Sequence, residues 1–135
     1  MKPNITLVVM TLLSILLTSF HFADDIARGI EPGKFGTIAA QVILVVWLCG
    51  PLMLAGRRAG LVLMFIGSLF GCLMPIVHMQ GAGIAGGRIA GSAGIFFWSW
   101  TLVALGATAL FAAVLSAREL WTWSAKQRGL HAART

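Results

Sequence analysis

Charge is what this sequence has little of. Only 10% of its 135 residues are charged while 59% are hydrophobic, where soluble domains carry about a quarter charged. Too little polar surface remains to cover a soluble domain, so most of the surface is expected to face lipid. Cysteine is scarce as well: Cys49 and Cys72 stand singly inside apolar runs, with no Cys-x-x-Cys spacing. That excludes a disulfide framework or cysteine metal knuckle and leaves both as packing residues. The net charge of +6 comes from basic residues scattered along the chain, with Arg57 and Arg58 the one adjacent pair. No basic face forms, which excludes nucleic acid as a partner. The glycine-rich "GAGIAGGRIAGSAG" lacks the lysine and serine or threonine that end a phosphate-binding loop. Its GxGxxG letters follow an apolar helix rather than a strand, so no dinucleotide site is expected there.

What the sequence has instead is long uncharged runs. A spanning helix needs about 20 apolar residues, and residues 5–23, 37–56, 60–79 and 95–117 supply four such stretches without Asp, Glu, Lys or Arg. The fold class expected is all-α, an integral membrane four-helix bundle forming one domain over residues 1–135, with a basic tail at 118–135. Lys2 and "ITLVVMTLLSILLTSF" fit the start of a signal peptide. His21, however, stands where a small residue is wanted before a cut at Asp24, and the run is long enough to span. A retained first helix is expected.

Orientation follows from lysine and arginine in the short loops. Lys2, Arg57, Arg58, Arg118, Lys126, Arg128 and Arg134 fall on one side; Arg28, Lys34 and Arg88 fall on the other. Both termini are therefore expected in the cytoplasm, with the protein multi-pass in the inner membrane. Trp98 and Trp100 at one end of the last span, and Trp121 and Trp123 beyond the other, read as interfacial aromatic belts. Bilayer lipid is the first partner this implies.

With that topology the first and third helices both run outward and both end in histidine. Thr18, His21, Asp24, Asp25 and Arg28 fall on one stripe of the first helix, because residues three and four apart share a face. His78 shares a face of the third helix with Gly60, Gly67 and Gly71. "GSLFG" at 67–71 is a GxxxG pattern that admits a close helix neighbour, so His78 is expected to point into the bundle. Pro75 removes a backbone donor one turn before it. Gln41 and Gln80 add polar groups at the same end.

Two imidazoles and two carboxylates suit a divalent metal such as zinc, or iron on a two-histidine-one-carboxylate set. His21, Asp24, Asp25 and His78 are the expected metal ligands, with Gln41 peripheral. A haem b held between His21 and His78 is a further chemistry, disfavoured because its propionates would meet the aspartates. The plainest alternative has Asp24 and Arg28 as an i,i+4 ion pair, His21 bonded to Asp25, and Gly29 closing the helix in a left-handed cap. No serine–histidine–acid arrangement can be assembled, and no reaction is specified. "FHFADDIARGIEPG" and "PIVHMQG" resemble a group of small bacterial four-helix membrane proteins with a histidine and paired acids ending the first helix. The resemblance implies an inner-membrane bundle and draws attention to His21, Asp24, Asp25 and His78, but it implies no activity. The competing function class is a non-catalytic accessory subunit that packs against another membrane subunit, or itself, through the Gly67/Gly71 face.

Overall fold

A computed structural model describes residues 2–29, 34–79, 91 and 93–132. Among these residues there are four helices and no strand: α1 Ile5–Ala27, α2 Lys34–Met53, α3 Arg58–Met79 and α4 Ile95–Ala132. Gln80, Arg88 and most of the glycine-rich stretch lie outside the described residues, as does the side chain of His131.

Each helix end has a local cause. Asn4 caps α1, its side-chain oxygen accepting from the Leu7 amide at 3.2 Å, which satisfies one of the orphan donors of a first turn. At the other end Gly29 takes φ +66°, with its amide on the Ile26 carbonyl at 3.0 Å. This is the left-handed exit the sequence foretold, available to glycine without a Cβ clash. α1 runs four residues beyond the apolar stretch 5–23, so Asp24 and Asp25 lie in helix rather than loop. α2 stops at Met53, where Leu54 bonds back to the Cys49 carbonyl and Arg57 to that of Leu54. α3 continues through Pro75 to Met79.

α4 is the central helix, packed along both α3 and α1, while α2 rests on α3 and more lightly on α1. Polar pairs give the direction: Asn4 meets Glu119, Ser14 meets Thr108, and His21 meets Thr101. Residue numbers rise on α1 as they fall on α4, so these two are antiparallel. α4 also runs against α3, since Met64 groups with Ala112, and Met74 with Trp98 and Leu102. α1 and α3 therefore point the same way, and their C-terminal ends lie together.

On α1 the seam residues Leu7, Thr11, Ser14, Thr18, His21 and Asp25 alternate in steps of four and three, the repeat that keeps one face against a neighbour. All but Thr18 are buried. Hydroxyls are tolerated there because each bonds its own helix: Thr11 to the Leu7 carbonyl at 2.8 Å, Ser14 to Met10 at 2.8 Å and Thr18 to Ser14 at 2.7 Å.

The glycine face of α3 is filled from within the chain. A Cβ on Gly67 would sit 2.3 Å from the Trp47 ring of α2, and one on Gly71 would sit 2.8 Å from Ala109 of α4. The close approach that the GxxxG pattern allows is used by Trp47 and α4. A partner docking on this face would have to displace them.

Among the described residues three helices are long and apolar enough to cross a membrane: Ile5–Ala27, Arg58–His78 and Ile95–Gly129. The stretch expected at 37–56 is represented by the shorter apolar helix Thr37–Met53, because the 54–57 turn ends it early. Large apolar side chains cover the outer faces, among them Val42, Val45, Phe70, Leu73, Leu110 and Phe111. Exposed apolar surface on that scale is unsuited to water.

Candidate metal centre

Three helix ends build the polar cluster. Asp25 stands one turn after His21 on the seam face of α1, His78 stands in the last turn of α3, and Trp98 and Thr101 stand in the first turns of α4. His21, Asp25, Trp98 and Thr101 are buried, each 4% exposed or less. A carboxylate so placed needs partners, because burying an unpaired charge is costly. Its Oδ1 accepts the indole N–H of Trp98 at 2.9 Å. Its Oδ2 faces His78 Nε2 at 3.1 Å and His21 Nε2 at 3.6 Å.

The far sides of both imidazoles are also occupied. His78 Nδ1 lies 2.9 Å from the Met74 carbonyl, which can only accept, so Nδ1 carries the proton. Thr101 directs its hydroxyl to the Phe97 carbonyl at 2.9 Å or that of Trp98 at 3.0 Å. Its oxygen is then an acceptor toward His21 Nδ1 at 3.3 Å. In the neutral rings this leaves both Nε2 atoms as lone pairs. Both aim at a carboxylate oxygen, which is also a lone-pair atom. His21 Nε2 is buried with no hydrogen-bond partner among the described residues. Among the described residues three lone-pair atoms thus converge, and a cation, either a proton or a metal ion, is what such a cluster takes.

The dimensions fit a metal ion. Bonds of about 2.0–2.1 Å place the ligand atoms of a tetrahedral zinc about 3.3 Å apart. The two Asp25–histidine edges, 3.1 and 3.6 Å, bracket that value. The ligand atoms of His21, Asp25 and His78 all lie within 4.8 Å of one another. The imidazoles meet edge to face with centroids 4.9 Å apart. Rings in contact leave no room for a porphyrin between them, so haem b does not fit this arrangement.

Asp24 goes elsewhere. Its Oδ2 accepts from Arg28 Nε at 2.7 Å. That bond raises the already high pKa of Arg28 and keeps the guanidinium charged. Arg28 also reaches the Ala93 carbonyl before α4, at 3.4 Å. The structure therefore brings together three of the four expected ligands, and one helix step of about 100° per residue separates Asp25 from its neighbour. Gln41 is exposed on α2, away from the cluster.

Trp98 and Thr101 were not foreseen as site residues. Trp98 was expected in an interfacial belt beside Trp100. Trp100 is 58% exposed as a belt residue should be, but Trp98 turns inward and is 3% exposed. Its ring stands 5.3 Å from that of His21 and 5.9 Å from that of His78. The one usable signal is that Trp98 and Thr101 are three apart and share a face at the start of an antiparallel helix.

Comparison with protein-family models, curated proteins and solved structures gives no match.

Proposed function

We propose that this is an integral membrane helical bundle that binds a divalent transition-metal ion through His21 Nε2, His78 Nε2 and Asp25 Oδ2. The convergence of three lone-pair atoms, with the opposite nitrogens of both rings already tied, carries the reading. Metal-binding histidines characteristically donate their other N–H to a carbonyl, carboxylate or similar acceptor, as His78 does to Met74 and His21 to Thr101. Nitrogen with a single carboxylate favours zinc and its first-row neighbours over calcium or magnesium, which prefer all-oxygen sites.

In this reading α2 is the fourth membrane segment, both termini lie in the cytoplasm of the cell, and the metal sits near the outer leaflet. Arg57 before α3 and Arg58 at its start, with Arg118 and Arg128 of α4, support that orientation through the positive-inside rule. A reporter fused after Thr135 should be active only as a cytoplasmic one.

The deciding experiment is elemental analysis of protein purified in mild detergent, wild type beside His78→Ala. About one equivalent of metal, lost in the variant, is the expected result. Metal-free wild type that also fails to take up added zinc would assign the central position to a proton. The cluster would then be an ion pair tying α3 to α1.

A further inference from the structure

We infer that this metal centre keeps one coordination position for an exchangeable outside ligand, water or a small anion. The inference rests on the metal reading above. Closed structural zinc sites use four protein ligands, whereas sites that act on a ligand use three and leave the fourth to water. Among the described residues only His21, Asp25 and His78 converge. The nearest other candidates are committed. Asp24 is held by Arg28 at 2.7 Å, and the Met74 carbonyl receives His78 Nδ1 at 2.9 Å. The Thr101 oxygen faces His21 Nδ1 at 3.3 Å.

Asp25 is itself held to one metal bond. The Trp98 N–H at 2.9 Å engages Oδ1 and turns it away from the histidines, leaving Oδ2 to face them. α4 thus contributes no ligand but sets how the α1 carboxylate binds. Trp98 is a positioning residue.

Charge and access select the occupant. A divalent ion with one carboxylate and two neutral imidazoles carries one net positive charge, and Arg28 already balances Asp24. The centre therefore favours water, hydroxide or a small monovalent anion over a cation. The side chains of His21 and Asp25 are 4% and 6% exposed, whereas that of His78 is 20% exposed. Of the three ligands His78 is therefore the one that solvent reaches. A bound water there would be polarised by the ion.

Cobalt(II) is the probe, because its visible spectrum reports coordination number. Full-length protein in detergent would be loaded with cobalt and titrated with azide. The expected result is one equivalent of cobalt with a saturable spectral shift on azide addition. Trp98→Phe should keep the cobalt but weaken or abolish that shift, since Oδ1 is then able to chelate. An azide-insensitive spectrum on stoichiometrically loaded wild type overturns the open position while leaving the metal reading intact. A changed azide-free spectrum in Glu31→Gln, a residue outside the described ones, would reveal a fourth protein ligand and also overturn it. Failure of cobalt to bind at all would remove the metal reading first.

Discussion

The two ends of the α1–α4 seam are both polar, and they are built on opposite principles. At one end Asn4 donates its side-chain N–H to Glu119 at 2.9 Å while its oxygen accepts from the Leu7 amide at 3.2 Å. Donor meets acceptor twice, beside an apolar cluster of Leu7, Leu61, Met64 and Ala112. At the other end two imidazole nitrogens and a carboxylate oxygen crowd together, and buried His21 Nε2 has no hydrogen-bond partner among the described residues. Buried polar groups that serve structure alone are almost always satisfied. Asn4 and Glu119 need nothing more than the chain supplies, although Ser116, one turn before Glu119 on α4, keeps a buried hydroxyl with no hydrogen-bond partner among the described residues. On the proposed reading the histidine end is completed by a cation.

The largest effects should come from Asp25, and two substitutions there separate chemistry from packing. Asp25→Asn keeps an oxygen for the Trp98 N–H and places an NH2 group toward the two imidazole lone pairs. Metal binding should be lost while the metal-free fold melts at or above the wild-type temperature. Asp25→Ala should lose metal and also strand the buried indole N–H, a cost of about 1–3 kcal/mol. Thermal unfolding of metal-free protein in detergent, with metal content by elemental analysis, measures both. If Asp25→Asn still binds one equivalent, the contrast between the two ends fails.

His21→Ala and His78→Ala should each remove most of the bound metal, and the double variant should be little worse than either, because residues of one unit are not additive. Additive losses would mean two separate weak sites. Next in size, Trp98→Phe should weaken zinc binding by about 10- to 100-fold at unchanged stoichiometry, as titration against a competing chelator would show. At the other end Asn4→Ala should cost about 1 kcal/mol through the lost cap and leave metal content unchanged. A fall in metal content there would mean that the seam transmits strain along its whole length.

Much of the bundle was legible in the sequence, because long apolar runs obey simple rules. Long uncharged runs mark helices, and the three- and four-residue steps on α1 placed Thr18, His21, Asp24, Asp25 and Arg28 on one stripe, from which Asp24 and Arg28 depart by pairing with each other. A topology with α1 and α3 co-directional then brought His21 and His78 to one level. What α4 and α2 contribute was not legible. A tryptophan near the end of an apolar helix is an interfacial anchor in most settings, and only the packing of α4 against α1 turns Trp98 inward. The Gly67/Gly71 face advertised a close neighbour without naming it, and Trp47 from α2 is that neighbour. The end of α2 at Met53 was also hidden, because Leu54, Ala55 and Gly56 carry no charge that marks the turn before Arg57.

The aspartate pair is the finest test of the contrast, because the two carboxylates are adjacent and differ only in the face they occupy. Sequence spacing joins Asp24 to Arg28 and Asp25 to His21 by the same i,i+4 rule, so both had claims on a metal. In the structure Asp24 Oδ2 lies 2.7 Å from the guanidinium, and Asp25 Oδ2 lies 3.1 Å from His78. Asp24→Asn should therefore leave metal content and the cobalt spectrum at wild-type values, with little change in melting temperature, since ion pairs near solvent contribute weakly. The identical change one residue later should empty the centre. Equal loss of metal in Asp24→Asn and Asp25→Asn would mean that negative charge at the end of α1, and not the geometry of a defined ligand set, is what holds the ion.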